Sequence, residues 1–478
     1  MCVLVINVIW FVSIFWFNRK RGSFALLGIS AIVMVMQLLA EGYRSHLIPL
    51  YLLFVILAAL SFRGQKKSAV HNKTVIHKAV VSILWFPYFT LCALLPAVFP
   101  VFTYPLPTGP YSIGTVVYDV IDTSRDERLL ENHSGKRKLA IQVWYPTDPD
   151  NEAEKTKWLT NPQAIALGME SLTKIPSYLF DHLQYIETHG MANVPVSLTE
   201  PRYPVILFSH GYGSGFRSQS LFQIQELASQ GYIVVTIDHT YYSLSSVFTD
   251  GHAIPFYTAA GWPMLNNEKS REIVDTWVQD ARFVMDQLEI MNKSNSHSIV
   301  ANRMDLSKVG YLGASFGGPV AARTMQLDER VKAAINQDAR PFYQEEILKE
   351  GLTQPFMYMQ STQGASKISD AQLHEYGLTR KQWDALPLEI NQDIERFFHS
   401  LRGHGYILRI EGTEHITFSD MYLLIRIPFS KKLGIHDAHQ IINEYTVAFF
   451  NRHLLGKFDD KTPLGQDKYN EIINLRSK

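Results

Sequence analysis

The chain has 478 residues, 46% of them hydrophobic, with 45 Lys/Arg balancing 45 Asp/Glu and only two cysteines. Two cysteines rule out a disulfide-built fold, and the length leaves room for more than one domain. The charges are unevenly spread: residues 1–103 hold nine Lys/Arg against a single acid, Glu41, leaving 36 basic and 44 acidic residues beyond, a balance that argues against a nucleic-acid partner.

Four apolar runs fill the first hundred residues: Cys2–Phe17, Ser23–Ala40, His46–Phe62 and Ala79–Phe102. A membrane-spanning helix needs about 20 largely apolar residues, with a lower limit near 17. The last three comply and the first is short. A signal peptide is an alternative for the first run, but its basic cluster, Arg19–Arg21, follows the apolar stretch instead of preceding it. Residues 1–103 are therefore expected to be an all-α multi-pass membrane domain of four spans, or three if the first run does not cross. Arg19–Arg21 and Arg63–Lys78 are two spans apart and so face one side, which the positive-inside rule makes the cytoplasm. Residues 104–478 are then extracytoplasmic, and the protein belongs in the cell membrane. Pro87 would kink the fourth span, and Pro96, Pro100, Pro105, Pro107 and Pro110 mark its exit and a stiff linker. Cys2 and Cys92 both lie in apolar runs, so the outer domain is free of disulfides, as its size permits.

Beyond residue 104, strand-like runs alternate with helical patterns, which predicts an α/β fold: a mostly parallel sheet with helices on both faces. Val205–Ser209 and Tyr232–Ile237 read as strands. Ser270–Met291 reads as an amphipathic helix with Ile273, Trp277, Ala281, Val284, Leu288 and Met291 on one stripe. Val309–Leu312 is a short apolar strand running into Gly313-Ala-Ser315-Phe-Gly317, followed by the helix-forming Pro319–Met325. Further strands are expected at Val331–Gln337, Pro355–Ser361 and Gly405–Ile410, the last of them, with a terminal helix at His436–Leu455. The segments 152–198 and 363–402 fit no core element. They read either as a cap or acyl-binding wall or as ordinary amphipathic helices.

Strand, Gly-x-Ser-x-Gly and helix together form the context of a nucleophile elbow, in which Ser315 would sit at the carboxyl end of a sheet above a helix N-terminus. A serine needs a base and an orienting acid, and in α/β-hydrolases these follow in the order Ser, Asp/Glu, His. His415 follows the last predicted strand, whereas His399 and His404 precede it. Asp338 directly follows a strand-like run, unlike Asp328, Asp370, Asp384 and Asp393; Asp238 precedes the serine and is the weaker candidate. Two backbone N–H groups must hold the tetrahedral oxyanion. Phe316 follows the nucleophile, and Tyr212 sits in the His210-Gly211-Tyr212-Gly213 loop after an earlier strand. No metal-ligand spacing or phosphate-cradling glycine loop appears, and no cofactor is expected.

The segments Tyr203–Arg217 and Leu227–His239 resemble the oxyanion-loop region of plasma-type platelet-activating-factor acetylhydrolases, and Gly-Ala-Ser-Phe-Gly-Gly differs from that family's usual elbow only at Ala314. Gly109–Gly114 and Val143–Pro146 match the way that fold begins, and the likeness runs from about residue 105 to 455. The resemblance implies an α/β-hydrolase with Ser315, Asp338 and His415 as triad and Tyr212 and Phe316 as oxyanion donors. It implies a calcium-independent serine esterase of the 1-alkyl-2-acetylglycerophosphocholine esterase class, acting on short or oxidised acyl chains of phospholipid-like substrates. The partners expected are thus a lipid or small ester and the membrane itself, with the oligomeric state left open. Two other functions fit the same residues: a lipase- or cutinase-like hydrolase of polyesters or amides, and a non-catalytic membrane receptor retaining a hydrolase fold.

Overall fold

The computed structural model describes every residue except 1, 17–19, 64–73, 128, 130–134, 150–152, 259–267, 342–343, 363–368, 425–432, 458–468 and 470–471. Two compact units emerge: Met1–Phe102 with Thr173–Ile186 and Leu423–Phe429, and Thr103–Leu172 with Glu187–Tyr422 and Ser430–Lys478.

The first unit is helical, with Cys2–Phe15 (α1), Lys20–Glu41 (α2), Ile48–Arg63 (α3) and Val75–Val98 (α4). Ser23–Glu41, Ser45–Phe62 and Val75–Val98 are long and apolar enough to cross a membrane. The 14 residues of α1 are not: at 1.5 Å per residue they reach about 21 Å, against a hydrocarbon core of about 30 Å. Among the described residues three helices are thus candidate spans by length and composition, the smaller of the two numbers expected. Instead α1 turns Trp10 and Phe11 inward onto Leu50, Leu53 and Leu57, and Trp10 Nε1 donates to Ser23 Oγ at 2.8 Å. Pro87 and Pro96 both lie inside α4, which ends two residues past Pro96.

The second unit follows the order Ser112–Asp126 (β1), Lys136–Thr147 (β2), Lys155–Lys157 (β3), Pro162–Thr173 (α5), Glu187–Ala192 (β4), Tyr203–Ser209 (β5), Leu221–Ser229 (α6), Ile233–Asp238 (β6), Ser245–Val247 (β7), Ala253–Pro255 (β8) and Glu268–Met291 (α7). It continues with Met304–Ala314 (β9), Gly317–Leu327 (α8), Val331–Gln337 (β10), Gln344–Glu350 (α9), Phe356–Ser361 (β11), Asp370–Glu375 (α10), Arg380–Ser400 (α11), Gly405–Ile410 (β12), Met421–Leu424 (α12), Ile435–Leu455 (α13) and Ile473–Ser477 (β13). Eleven strands form one sheet in the order β13-β12-β11-β10-β9-β5-β6-β2-β1-β4-β3. The six from β12 to β6 are mutually parallel, and their Val/Ile-rich runs are buried, as strands covered on both faces require. Flanking strands β2, β3 and β13 run antiparallel to a neighbour.

One difference from the sequence expectation lies at the edge, where β13 pairs with β12, so β12 is not the last strand. The run Ile473–Ser477 is five residues long and mixed in polarity, too short for alternation to reveal. Segment 152–198 divides: β3 and β4 extend the sheet, while Thr173–Ile186 groups with the helical unit. In 363–402, of which 363–368 lies outside the described residues, α11 buries Ile394, Phe397 and Phe398 in the main core. Its inner half is thus an ordinary packed helix. The apolar stripe of α7 is buried from Ile273 to Leu288, with Trp277 and Leu288 fully enclosed and Met291 at its end partly exposed.

A buried charge cluster links β2 to α7. Arg137 donates Nε and Nη2 to the two oxygens of Asp280 at 3.0 and 2.6 Å, and Nη1 to Glu127 at 2.7 Å. Arg125 adds a third guanidinium contact to Asp280 at 2.8 Å. Burial alone would raise the Asp280 pKa, but Arg137 and His239 hold it well below the usual carboxylate range. Trp277 stacks on the His239 ring at 3.9 Å. Removing one partner from a buried pair strands the other charge, a loss of about 3–5 kcal/mol. Asp280→Asn is expected to lower the unfolding free energy of the second unit by about that amount, seen as a lower urea midpoint in tryptophan fluorescence; an unchanged midpoint would show the cluster to be energetically idle.

Candidate active site

The parallel strands bring their carboxyl ends level. Ser209 stands opposite Gly313, Ala314 opposite Gln337, and Gln337 opposite Met359. The residues that follow β5, β9, β10 and β12 thus emerge along one edge, and those are the residues expected to carry chemistry.

Ser315 occupies a left-handed backbone conformation, φ 50°, between β9 and α8. A non-glycine residue there costs on the order of 1–3 kcal/mol and persists only where its surroundings over-determine it. Two glycines supply those surroundings. A Cβ on Gly313 would overlap the Gly317 carbonyl, and one on Gly317 would overlap the Ser209 carbonyl. The strand, the turn and the helix are therefore packed backbone to backbone. Ser315 N–H donates to Gln337 O at 2.8 Å, tying the turn to the neighbouring strand.

His415 opens the 3-10 turn His415–Phe418 after β12. Its Nε2 lies 2.9 Å from Ser315 Oγ, and its Nδ1 lies 2.8 Å from Asp338 Oδ2. The carboxylate faces Nδ1, so Nδ1 carries the proton and Nε2 is left to accept from the serine hydroxyl. Asp338, like Ser315, has a left-handed φ of 60°. Ser361 fixes it further, with N–H to Oδ1 and Oγ–H to Oδ2, both at 2.8 Å. Burial would raise the Asp338 pKa, but His415 and the two Ser361 hydrogen bonds bring it below the usual value. Burial would likewise depress His415, yet the facing Asp338 carboxylate lifts its pKa above 6.5. The His415 side chain is 53% exposed, so its outer edge is open.

The loop after β5 lies against the serine: a Cβ on Gly211 would come within 3.1 Å of Ser315 Cβ. The rings of Tyr212 and Phe316, the two expected oxyanion donors, pack 5.4 Å apart. Gln219 Oε1 accepts from Gly211 N–H at 3.0 Å. His210 Nε2 accepts from His239 N–H at 3.1 Å, so Nδ1 bears the proton and donates to Gly211 O at 2.7 Å.

Of the residues singled out in the sequence, Ser315, Asp338 and His415 are brought together, with Tyr212 and Phe316 beside them. The rivals lie elsewhere. Asp238 pairs with Arg217 at 2.6 Å, Asp328 with Arg330 at 2.7 Å, Asp370 with Arg380 at 2.5 Å and Asp393 with Arg340 at 2.9 Å. His404 lies against His453, with ring centroids 5.5 Å apart. Ser361, Gln219 and His210 went unnoticed as supports. Ser361 ends a strand adjacent to Asp338, and that adjacency was the available signal. A cavity of about 660 Å³ lined by Tyr104, Phe222, His439 and Asn443 includes no member of this constellation.

Comparison with known proteins follows the same outline. The family described as platelet-activating factor acetylhydrolase, isoform II, matches residues 97–256 and 267–470. The platelet-activating factor acetylhydrolase of Cavia porcellus is 23% identical over 74% of this chain and 78% of its own length. That of Bos taurus is 25% identical over 54% of this chain, a match spanning 60% of the bovine protein. Among solved structures, a ferulic acid esterase from Streptomyces cinnamoneus superposes with a TM-score of 0.60 at 25% identity, covering 79% of this chain and 99% of that one. The family match spans most of the chain, and with an esterase of the same architecture beside it, this protein belongs to the platelet-activating factor acetylhydrolase isoform II family and is an ester hydrolase.

Proposed function

We propose that this protein is a membrane-anchored serine esterase that cleaves short or oxidised acyl esters of phospholipid-like substrates through an acyl-enzyme on Ser315. The observation that carries the proposal is the single imidazole of His415 within hydrogen-bond reach of both Ser315 Oγ and Asp338 Oδ2. His415 Nε2 takes the hydroxyl proton as Ser315 Oγ attacks the ester carbonyl carbon. The carbonyl oxygen becomes an oxyanion held by the Tyr212 and Phe316 N–H groups, near the positive end of α8. Asp338 keeps the proton on Nδ1 and stabilises the imidazolium. Collapse expels the alcohol, which takes the proton from Nε2. Water then attacks the acyl-enzyme with His415 again as base, releasing the acid and restoring the serine.

The substrate class rests on the family and its named relatives, the acetylhydrolases of Cavia porcellus and Bos taurus. Anchoring rests on the three long apolar helices of the first unit. The basic residues flanking them support an extracytoplasmic hydrolase unit.

Four outcomes are expected. Ser315→Ala should abolish p-nitrophenyl butyrate turnover and fluorophosphonate labelling in a protein that remains folded by circular dichroism; retained turnover would sink the assignment. Asp338→Asn should lower kcat by about 10⁴-fold, because an amide facing Nδ1 favours the wrong tautomer. The acid limb of kcat/KM should reflect the same pair. Catalysis needs neutral His415, whose pKa is raised, so activity should climb with pH through a midpoint above 6.5 and that midpoint should fall in Asp338→Asn; a wild-type limb below 6.5 would contradict the pairing. For the anchor, the full chain should stay with the membrane pellet after alkaline carbonate extraction, and release to the supernatant would remove the spans from the proposal.

A further inference from the structure

The helical unit holds a second cluster of titratable groups, unrelated to ester hydrolysis. His46 lies in the 3-10 turn Ser45–Leu47, ahead of α3, and Asp181 and His182 lie in the 3-10 segment Ser177–Tyr185. Both segments belong to the first unit. One ligand atom from each of these three residues lies within 4.8 Å of the others.

Their hydrogen bonding leaves a consistent set of lone pairs. His182 Nδ1 faces Leu179 O at 3.0 Å, so it carries the proton and Nε2 is a bare acceptor. That Nε2 is buried with no partner, in a side chain that is 0% exposed. Asp181 Oδ2 accepts from Ser45 N–H at 2.9 Å, while Oδ1 is buried and unpartnered. His46 is 1% exposed, and neither of its ring nitrogens has a partner. The two imidazoles meet edge to face at 4.9 Å, walled by Phe99 and Phe180. Buried imidazole nitrogens without partners are costly, and a ring whose far nitrogen is fixed by a backbone carbonyl is the usual state of a metal-ligating histidine.

We propose that His46, Asp181 and His182 form a zinc site of the first unit. Two neutral imidazoles and one carboxylate suit a borderline divalent ion better than calcium or magnesium, which prefer all-oxygen shells. Four-coordinate zinc with bonds of about 2.0–2.2 Å holds its ligand atoms about 3.3–3.6 Å apart, so the present spacing closes by modest side-chain rotation. Arg44, two residues before His46, is paired with Glu41 at 3.3 Å, and Asp181 supplies the charge facing the ion. The burial of both histidines points to a structural role. Zinc would pin the turn before α3 to Ser177–Tyr185, a segment that enters this unit between α5 and β4. Ser45 N–H to Asp181 and Tyr185 OH to Tyr43 O, both 2.9 Å, already hold the same two segments together.

The test uses the full chain in detergent, without a polyhistidine tag, stripped with chelator, reloaded with Zn²⁺ and desalted. Wild type should retain stoichiometric zinc by mass spectrometry, and His46→Ala, His182→Ala and Asp181→Asn should each lose most of it, while His252→Ala keeps it. Wild type loaded with Co²⁺ should show the visible bands of a four-coordinate ion, reduced in Asp181→Asn. Should the histidine variants fail to fold, Zn²⁺ should still raise the melting temperature of wild type above that of the stripped protein. Zinc retention in wild type no greater than in Asp181→Asn, or a melting temperature indifferent to Zn²⁺, would overturn the proposal.

Discussion

The level carboxyl edge of the parallel sheet is the constraint on which this hydrolase unit depends. Hydrogen-bond register between β5, β9, β10, β11 and β12 fixes where each strand ends. Side chains a hundred positions apart thereby reach one another. The distance from Ser315 Oγ to His415 Nε2 is thus a product of backbone pairing across several strands. A one-residue slip in any of them would turn the following residue to the opposite face. This is why Ser315 and Asp338 tolerate left-handed backbone angles. Each is the first residue beyond its strand, and each is held by a backbone bond to the next strand: Ser315 N–H to Gln337 O, Asp338 N–H to Met359 O.

Much of this was legible in the sequence, for identifiable reasons. Parallel strands covered on both faces read as continuous apolar runs, so β5, β6, β10, β11 and β12 could be placed closely, and the elbow glycines announce a close approach that no other residue allows. Asp338 was selected by its place after a strand, the very feature that the sheet register turns into position. What escaped notice depends on contacts without local pattern. β13 is too short for periodicity. Ser361 gains its role from the strand beside it. His46 and His182 are more than a hundred positions apart, and metal-ligand spacing is informative only when the ligands share one turn or loop.

The helical unit makes a contrasting use of apolar sequence. Its helices are apolar nearly all round, and large side chains such as Ile32, Leu39 and Phe86 remain exposed. Exposed apolar surface of this kind is what the proposed membrane anchoring would cover. Within it some polar side chains pair with one another, as in Asn7 with Ser30 and Trp10 with Ser23, which spares those groups an unpartnered place among apolar neighbours.

Hydrogen-bond distances alone do not make a catalytic triad, and this chain holds its own control. Ser209 Oγ lies 2.8 Å from His239 Nε2, and His239 Nδ1 lies 2.9 Å from Asp280 Oδ2, the same pattern as Ser315, His415 and Asp338. The environments differ in every respect that matters for reaction. Ser209, His239 and Asp280 are all 0% exposed, and Ser209 is the last residue of a regular strand, with Tyr311 OH 2.7 Å from its hydroxyl. Asp280 divides its charge between Arg137 and Arg125, leaving little to stabilise an imidazolium. Burial, with smaller contributions from His210 and Arg137, outweighs what Asp280 offers and lowers the His239 pKa to about 3, so the ring stays neutral. At the elbow the carboxylate has no arginine bound to it among the described residues, the imidazole pKa is raised, and the serine stands at a helix N-terminus. The buried copy instead serves the exposed one: His239 N–H holds His210, and His210 holds the Gly211 carbonyl beside Ser315. Burial and the charges around each carboxylate favour the proposed chemistry at Ser315 over any at Ser209, since the bond lengths do not distinguish them.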